Sequence, residues 1–442
     1  MAIFSRLRWR LKVILREIWV RVTAFGVLGV LTALGSAGFG YLVPPDLGYK
    51  MGAGSVEPIL KIIATAMLTV TTFSLQIMIT AFSSAQTGAT PRAIKLMQTD
   101  RVTQNVLASF IGSFVFSLVG IIALETNVYD DSGRFILLVV TLGVVAMVVI
   151  SLLRWVQHLS EFGRLGDVIS RVENAASTAL KARCERPWLG GKEWEDPPVG
   201  VFGITSTRTG HVQHVDMGAL QKVAEAHDCR IWLCARPGEF VHGASHLVQC
   251  DALPGDTETR EEIEEAARDA FTIDHARDYD QDPQFGLIAL AEIASRALSP
   301  AINDPGTGID ILGRLARVLA EWHPPNSPEC VFDRVYVRAV TPEQYTEDAF
   351  AAIGRDGAGH LEVALRQQEV LEAVAEMHPD HFGRPAAHQA LRAAAHSQSA
   401  MTLRRDRAVV AEEAQALAAR FAPDLDCNVG HEIDGDTSDR NA

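Results

Sequence analysis

Four long apolar stretches in the first third of the chain decide what it can fold into: residues 19–43, 59–81, 106–124 and 135–153. A helix rises about 1.5 Å per residue and a bilayer's hydrocarbon core is about 30 Å thick, so each stretch is long enough for one crossing. Four soluble helices of such apolarity in so short a run would be unusual. The expected fold class is a four-span α-helical membrane domain over residues 1–153, followed by a mixed α+β and helical cytoplasmic domain.

Lys and Arg near the span ends set the expected orientation. Arg6, Arg8, Arg10, Lys12, Arg16 and Arg21 precede or open the first span; Arg92, Lys95 and Arg101 lie between the second and third; Arg154 and Arg164 follow the fourth. The other two loops are acidic. The positive-inside rule then puts both termini in the cytoplasm of a multi-pass protein of the bacterial inner membrane. The first span is too long, and followed by too many others, to be a cleaved signal peptide. Basic and bulky apolar residues alternate over 4–17, a pattern that suits either the anionic inner leaflet or a plain solvated basic tail.

Charge separates the two parts. The first 155 residues hold 13 Lys and Arg against 7 Asp and Glu; the whole chain is at −14, which leaves −20 on the remainder. A body so acidic is unsuited to nucleic acid, which attracts basic surfaces. All six cysteines follow the last span and face a reducing compartment on this topology, so no disulfide framework is expected.

The second span carries a polar stripe. Thr65, Thr69, Thr72, Gln76 and Thr80 recur at steps of three and four and share one helical face. Such a face packs on another helix or lines a water-filled path. Threonine can return its hydroxyl to the carbonyl four residues back; the Gln76 amide needs other partners. Ser109, Ser113, Ser117 and Gly120 in the third span allow close helix approach. No Asp, Glu or His lies deep in any span, which disfavours a carboxylate proton relay and a histidine-held redox centre.

Beyond the membrane, spacings of three and four predict an amphipathic connecting helix over 154–186, continuing from the fourth span. Short β-type runs then predict a small α+β module over 199–253, with Asp216 capping a helix at 217–227. A helical hairpin region is expected over 257–325 and a mainly helical region over 328–421. The acidic tail, 424–442, reads as disordered. In the hairpin region two helices each open on an Asp-Pro pair, Asp282-Pro283 and Asp304-Pro305. Aspartate caps free N–H groups and proline suits the first helical position. Ser299-Pro300 turns the chain between them, with Arg296 beside the turn.

The run from Arg296 through Ser299-Pro300 to Asn303-Asp304-Pro305, preceded by Gln281-Asp282-Pro283-Gln284-Phe285-Gly286, resembles the signature of DUF2254, a bacterial family of predicted membrane proteins. The four-span layout is similar to that family's, as are Gly210–Val215, Arg236-Pro237-Gly238-Glu239-Phe240-Val241 and Gly243. The resemblance extends to about residue 325 and brings no established activity with it.

The hairpin motif has two readings. One is a rigid capped turn whose polar groups satisfy one another. The other is a site for a small ligand or ion formed by Asp280, Asp282, Arg296, Asn303, Asp304 and Thr307. Three cysteines (229, 234, 250) and three histidines (227, 242, 246) fit no closed zinc spacing, so no metal site is assigned. No acid, base and nucleophile set has catalytic spacing, and the sequence indicates no cofactor. The leading functional expectation is an oligomeric channel or transport-related protein regulated by its cytoplasmic body. The alternative is a membrane-anchored sensor or scaffold that binds a protein or small ligand. The bilayer is the expected partner in either case, with a homo-oligomer implied by the first because four spans make a thin path alone.

Overall fold

The computed structural model describes residues 18–38, 56–98, 100–126, 131–159, 163–251, 257–324 and 329–425; the basic stretch 4–17 and the tail beyond 425 lie outside them. The chain divides into two compact units. Of the described residues, the smaller holds those within 18–87 and 94–168, and the larger those within 88–93 and 169–425.

The smaller unit is built from α1 (Ile18–Gly38), α2 (Val56–Gly88), α4 (Arg101–Glu125) and α5 (Asp131–Leu159), with α3 (Pro91–Gln98) between α2 and α4. Among the described residues, three helices are long and apolar enough to cross a membrane: Val56–Ser83, Val102–Glu125 and Gly133–Leu159. The expected first span, 19–43, is corrected accordingly, and the count with it from four to three. Its apolar stretch in α1 is the shorter Val22–Gly35, whose rise falls short of the roughly 30 Å core, and residues 39–43 lie outside the described set. The outer surface is that of a protein meant for lipid. Ile62, Phe73, Val139, Leu142, Ile150 and Leu153 are all exposed, which would be costly around a soluble bundle.

Inside this unit, α4 is the central element. Its Gly112 meets α1 at Gly29: a Cβ on Gly29 would lie 2.7 Å from the Gly112 carbonyl oxygen. The missing side chains let the two backbones close, as small residues do between membrane helices. Ser109 and Ser113 are buried in α4 and return their hydroxyls to the carbonyls of Val106 and Ser109, while Ser117 is buried too. The packing role expected of this serine stripe fits that placement. Asp100 caps α4 through the Thr103 N–H (2.7 Å), and the His158 Nε2 lies 3.0 Å from its Oδ2.

The expected continuous helix over 154–186 is also corrected. α5 is described to Leu159, residues 160–162 lie outside the described set, and Gly163 and Arg164 are not helical before α6 (Leu165–Glu185) begins. Gly163 takes a left-handed φ of +81°, and a Cβ there would lie 2.8 Å from that of Ala81. The interruption follows from a backbone state that only glycine adopts cheaply, and the close approach leaves room for no other residue.

The larger unit holds two small sheets and a helical layer. In chain order they are β1 (Lys192–Glu193), β2 (Phe202–Thr205), β3 (Gly210–Val215), α7 (Met217–Ala226), β4 (Ile231–Leu233), β5 (Phe240–Val241), β6 (His246–Cys250), α8 (Thr257–Asp269) and β7 (Phe271–Asp274). Then come α9 (Pro283–Ala297), α10 (Pro305–Ala320), β8 (Val335–Val337), α11 (Pro342–Asp356), α12 (Leu361–Met377), α13 (Pro379–Ala400) and α14 (Arg404–Phe421). One sheet runs β1-β8-β4-β6-β2, the other β5-β3-β7. The 199–253 segment is therefore not closed on itself. It borrows β8, parallel to β4, and β7, antiparallel to β3, from sequence far downstream. Ile204, Leu220, Ile231, Val248, Phe271 and Val335 meet in the core these strands share with α7 and α8.

Candidate functional site

The motif-bearing helix α9 is fixed at both ends, and the two ends are separate places. Asp282 caps its start, accepting the Phe285 N–H at 3.1 Å, with proline in the first turn. Only 2% exposed, Asp282 is held by the Arg277 Nε at 2.7 Å. The Arg277 guanidinium also lies 5.2 Å from the Phe285 ring. The turn through Gly238 (φ +95°) comes so close that a side chain there would collide with the Asp282 carboxylate. This is the physical use of the Arg-Pro-Gly-Glu run. The Gln281 side chain accepts the Val215 N–H at 3.0 Å, and its carbonyl accepts from Arg183 Nη2 at 2.7 Å. Gly286, one turn into α9, sits against Ala176 of α6, where a Cβ would overlap that of the alanine.

At the other end, the chain leaves α9 and reverses. Asn303 takes a left-handed φ of +53°, a state asparagine tolerates better than most residues, and the Asp304 N–H reaches back to the Ala297 carbonyl at 2.8 Å. Asp304 then caps α10, accepting the Thr307 N–H at 3.0 Å and its hydroxyl at 2.6 Å. These hydrogen bonds hold the Asp304 carboxyl below the usual carboxylate range. Gly308 packs under Leu298.

Arg296 does not join that turn. Its Nη1 donates to the carbonyl of Ala89, at 3.0 Å. Arg92 pairs with Glu292 one turn earlier on α9, and the Arg92 carbonyl accepts from the Tyr279 hydroxyl at 3.1 Å. The short segment 88–93 thus belongs to the larger unit. Beside it opens a cavity of about 520 Å³ whose lining includes Thr90, Arg92, Glu292, Ser295, Arg296 and Asp356. Asp356 accepts from Ser295 and Arg355; burial works against its charge, but those bonds outweigh it and keep its carboxyl low.

The six hairpin residues therefore do not converge on one site. Asn303, Asp304 and Thr307 make the turn and cap; Arg296 holds the 88–93 segment; Asp282 caps the far end of α9; Asp280 lines a different cavity, beside Gln281. Sequence reasoning missed Arg183, Arg277 and Gly238 around Asp282, and Ala89 and Arg92 around Arg296. Only the Arg-Pro-Gly-Glu run gave a signal. The stripe of α2 is placed as a set: Thr65, Thr69, Thr72, Gln76 and Thr80 are all exposed. The four threonine hydroxyls donate to carbonyls of their own helix, Thr72 to those of Leu68 and Thr69. Cys229 and Cys250 lie buried together, each other's contact and burial pushing the Cys229 thiol up. Among the described residues no group of three His, Cys, Asp or Glu gathers as a metal set.

Long apolar helices joined to a mixed α/β body define a membrane protein with a large second unit. The model of DUF2254, described as a predicted membrane protein, matches residues 16–373, and the chain belongs to that family. It is 25% identical over 327 residues to uncharacterized proteins of Mycobacterium tuberculosis and Mycobacterium bovis, covering 70% of this chain. The chain spans 62% of the length of those relatives. No solved structure matches it.

Proposed function

We propose that the protein is an oligomeric channel-like or transport-related protein of the bacterial inner membrane, with its larger unit regulating the path. The observation that carries this reading is the face of α2. Five polar residues over four turns are left uncovered within one chain, at membrane depth, where lipid is a poor neighbour for the Gln76 amide. Copies of the chain assembled around α2 would cover the face or water it. Regulation is supported by the short segment joined directly to the end of α2. Residues 89 and 92 are held there by Arg296, Glu292 and Tyr279, so a change in the hairpin acts on the end of that helix.

Flux from proteoliposomes tests it. Wild-type protein should release small ions or solutes above the empty-vesicle level, and Gln76→Leu or Thr72→Leu should change that flux. Release at the empty-vesicle level from correctly inserted protein would sink the path.

A second reading, a membrane-anchored sensor or scaffold, draws on one further observation. The threonine hydroxyls are already satisfied within α2, so the stripe costs less against a neighbouring helix than its composition suggests. In that case the leucine variants would leave cellular phenotypes intact.

A further inference from the structure

Another cavity of the larger unit, about 580 Å³, lies apart from the hairpin turn. It is bounded by α6, the first turns of α7, residues 280–281 and residues 331–332. Arg183 is part of its wall and is only 7% exposed. One of its nitrogens, Nη2, is satisfied by the Gln281 carbonyl; the other, Nη1, has no hydrogen-bond partner. Asp282, a carboxylate whose charge acts on it, is committed to Arg277 and to the α9 cap, and Arg236 adds positive potential. Burial accordingly pulls the Arg183 pKa down. A buried guanidinium in this condition is expensive, because desolvation is repaid only by an anion or a full set of acceptors.

The rest of the wall fits an anion with an apolar body. Arg186 and Lys222 add two exposed cations, against the carboxylates of Glu225 and Asp280. Glu225 is engaged by the Gln221 amide at 2.9 Å. Met217 and Gly218, at the start of the ten-residue α7, bring the positive end of that helix to the cavity, although Asp216 already caps its third N–H. Ala179, Ala182, Leu189, Val215 and Phe332 supply apolar wall.

We infer that this cavity binds a small amphipathic organic anion, its single carboxylate or phosphate group held by Arg183 with Arg186 and Lys222 and its apolar part against α6 and Phe332. The site lies wholly in the larger unit and goes beyond the proposed path. Its binding and the flux of α2 are separate measurements, and either can fail without the other.

The test uses the full chain in nanodiscs with phenyl phosphate and benzoate as probes, benzyl alcohol as the neutral control, and ligand-observed NMR titration as the readout. Saturable binding of at least one anion, absent for benzyl alcohol, is expected. Arg186→Ala combined with Lys222→Ala should weaken it at least about tenfold, since both are exposed and lose only charge. Ala182→Trp, on the exposed side of α6, should fill the cavity and abolish binding while the unliganded protein keeps its Tm. Arg183→Gln is informative when it folds, and the other variants decide the matter when it does not. No saturable binding of either anion overturns the assignment. So does binding that the double variant and Ala182→Trp leave unchanged.

Discussion

At the scale of single residues, the hairpin is held by groups whose work is local and measurable. Asp304 satisfies two donors of Thr307, so Asp304→Ala should cost about 0.5–2 kcal/mol of stability, read as a lowered Tm of the detergent-solubilised protein. The same carboxyl has a pKa depressed in the folded state. Its contribution is therefore complete above the unfolded value of about 3.9 and is lost as the pH falls through the lower folded value. The Tm gap between wild type and Asp304→Ala should be constant from pH 7 to pH 5 and shrink below about pH 4; a gap that widens on acidification would contradict the cap. Gly286 makes a different kind of prediction. Its backbone touches Ala176, and Gly286→Val should destabilise by about 1–3 kcal/mol through overpacking. Pairing it with Ala176→Gly should recover part of that loss.

At the scale of elements, the hairpin and the segment after α2 act as one piece. Two of its contacts are made by backbone carbonyls, those of Ala89 and Arg92, which no substitution at those positions removes. Arg296→Ala and Tyr279→Phe should therefore loosen residues 88–93, seen as faster amide exchange there with α14 unchanged. The Arg92–Glu292 pair is partly exposed and should contribute at most about 1 kcal/mol. Within the smaller unit, the Gly29–Gly112 contact sets how close α1 and α4 come. Gly112→Leu should force them apart and lower Tm more than the same change at Gly143, which has open space around it.

For the whole molecule, the question is what covers α2. The proposed assembly predicts that Thr72→Cys or Gln76→Cys chains cross-link to one another in membranes under mild oxidant. Ile150→Cys, on an exposed apolar part of α5, should not. Equal cross-linking from both positions would mean random encounter and would remove the case for a shared α2 interface.

The sequence by itself determined the membrane character, through apolar runs whose length is matched to a bilayer, and the hairpin, through two Asp-Pro pairs that start helices. Both are local: a cap needs three residues, a span about twenty. Asp216, Asp282 and Asp304 cap the helices their positions implied. The tertiary structure decided what local patterns do not encode. It interrupted the helix at Gly163, whose φ of +81° is not helical, and Ala81 leaves no room there for any residue but glycine. It completed the central sheet with β8, some hundred residues after its partner β4. It divided six candidate site residues between the ends of α9, since a helix of 15 residues holds its ends about 22 Å apart. It also buried Arg183, whose place on an amphipathic helix gave no sign that its charge would lie inside. Burial of a charge depends on which elements close over it, and that is settled only when the chain is folded.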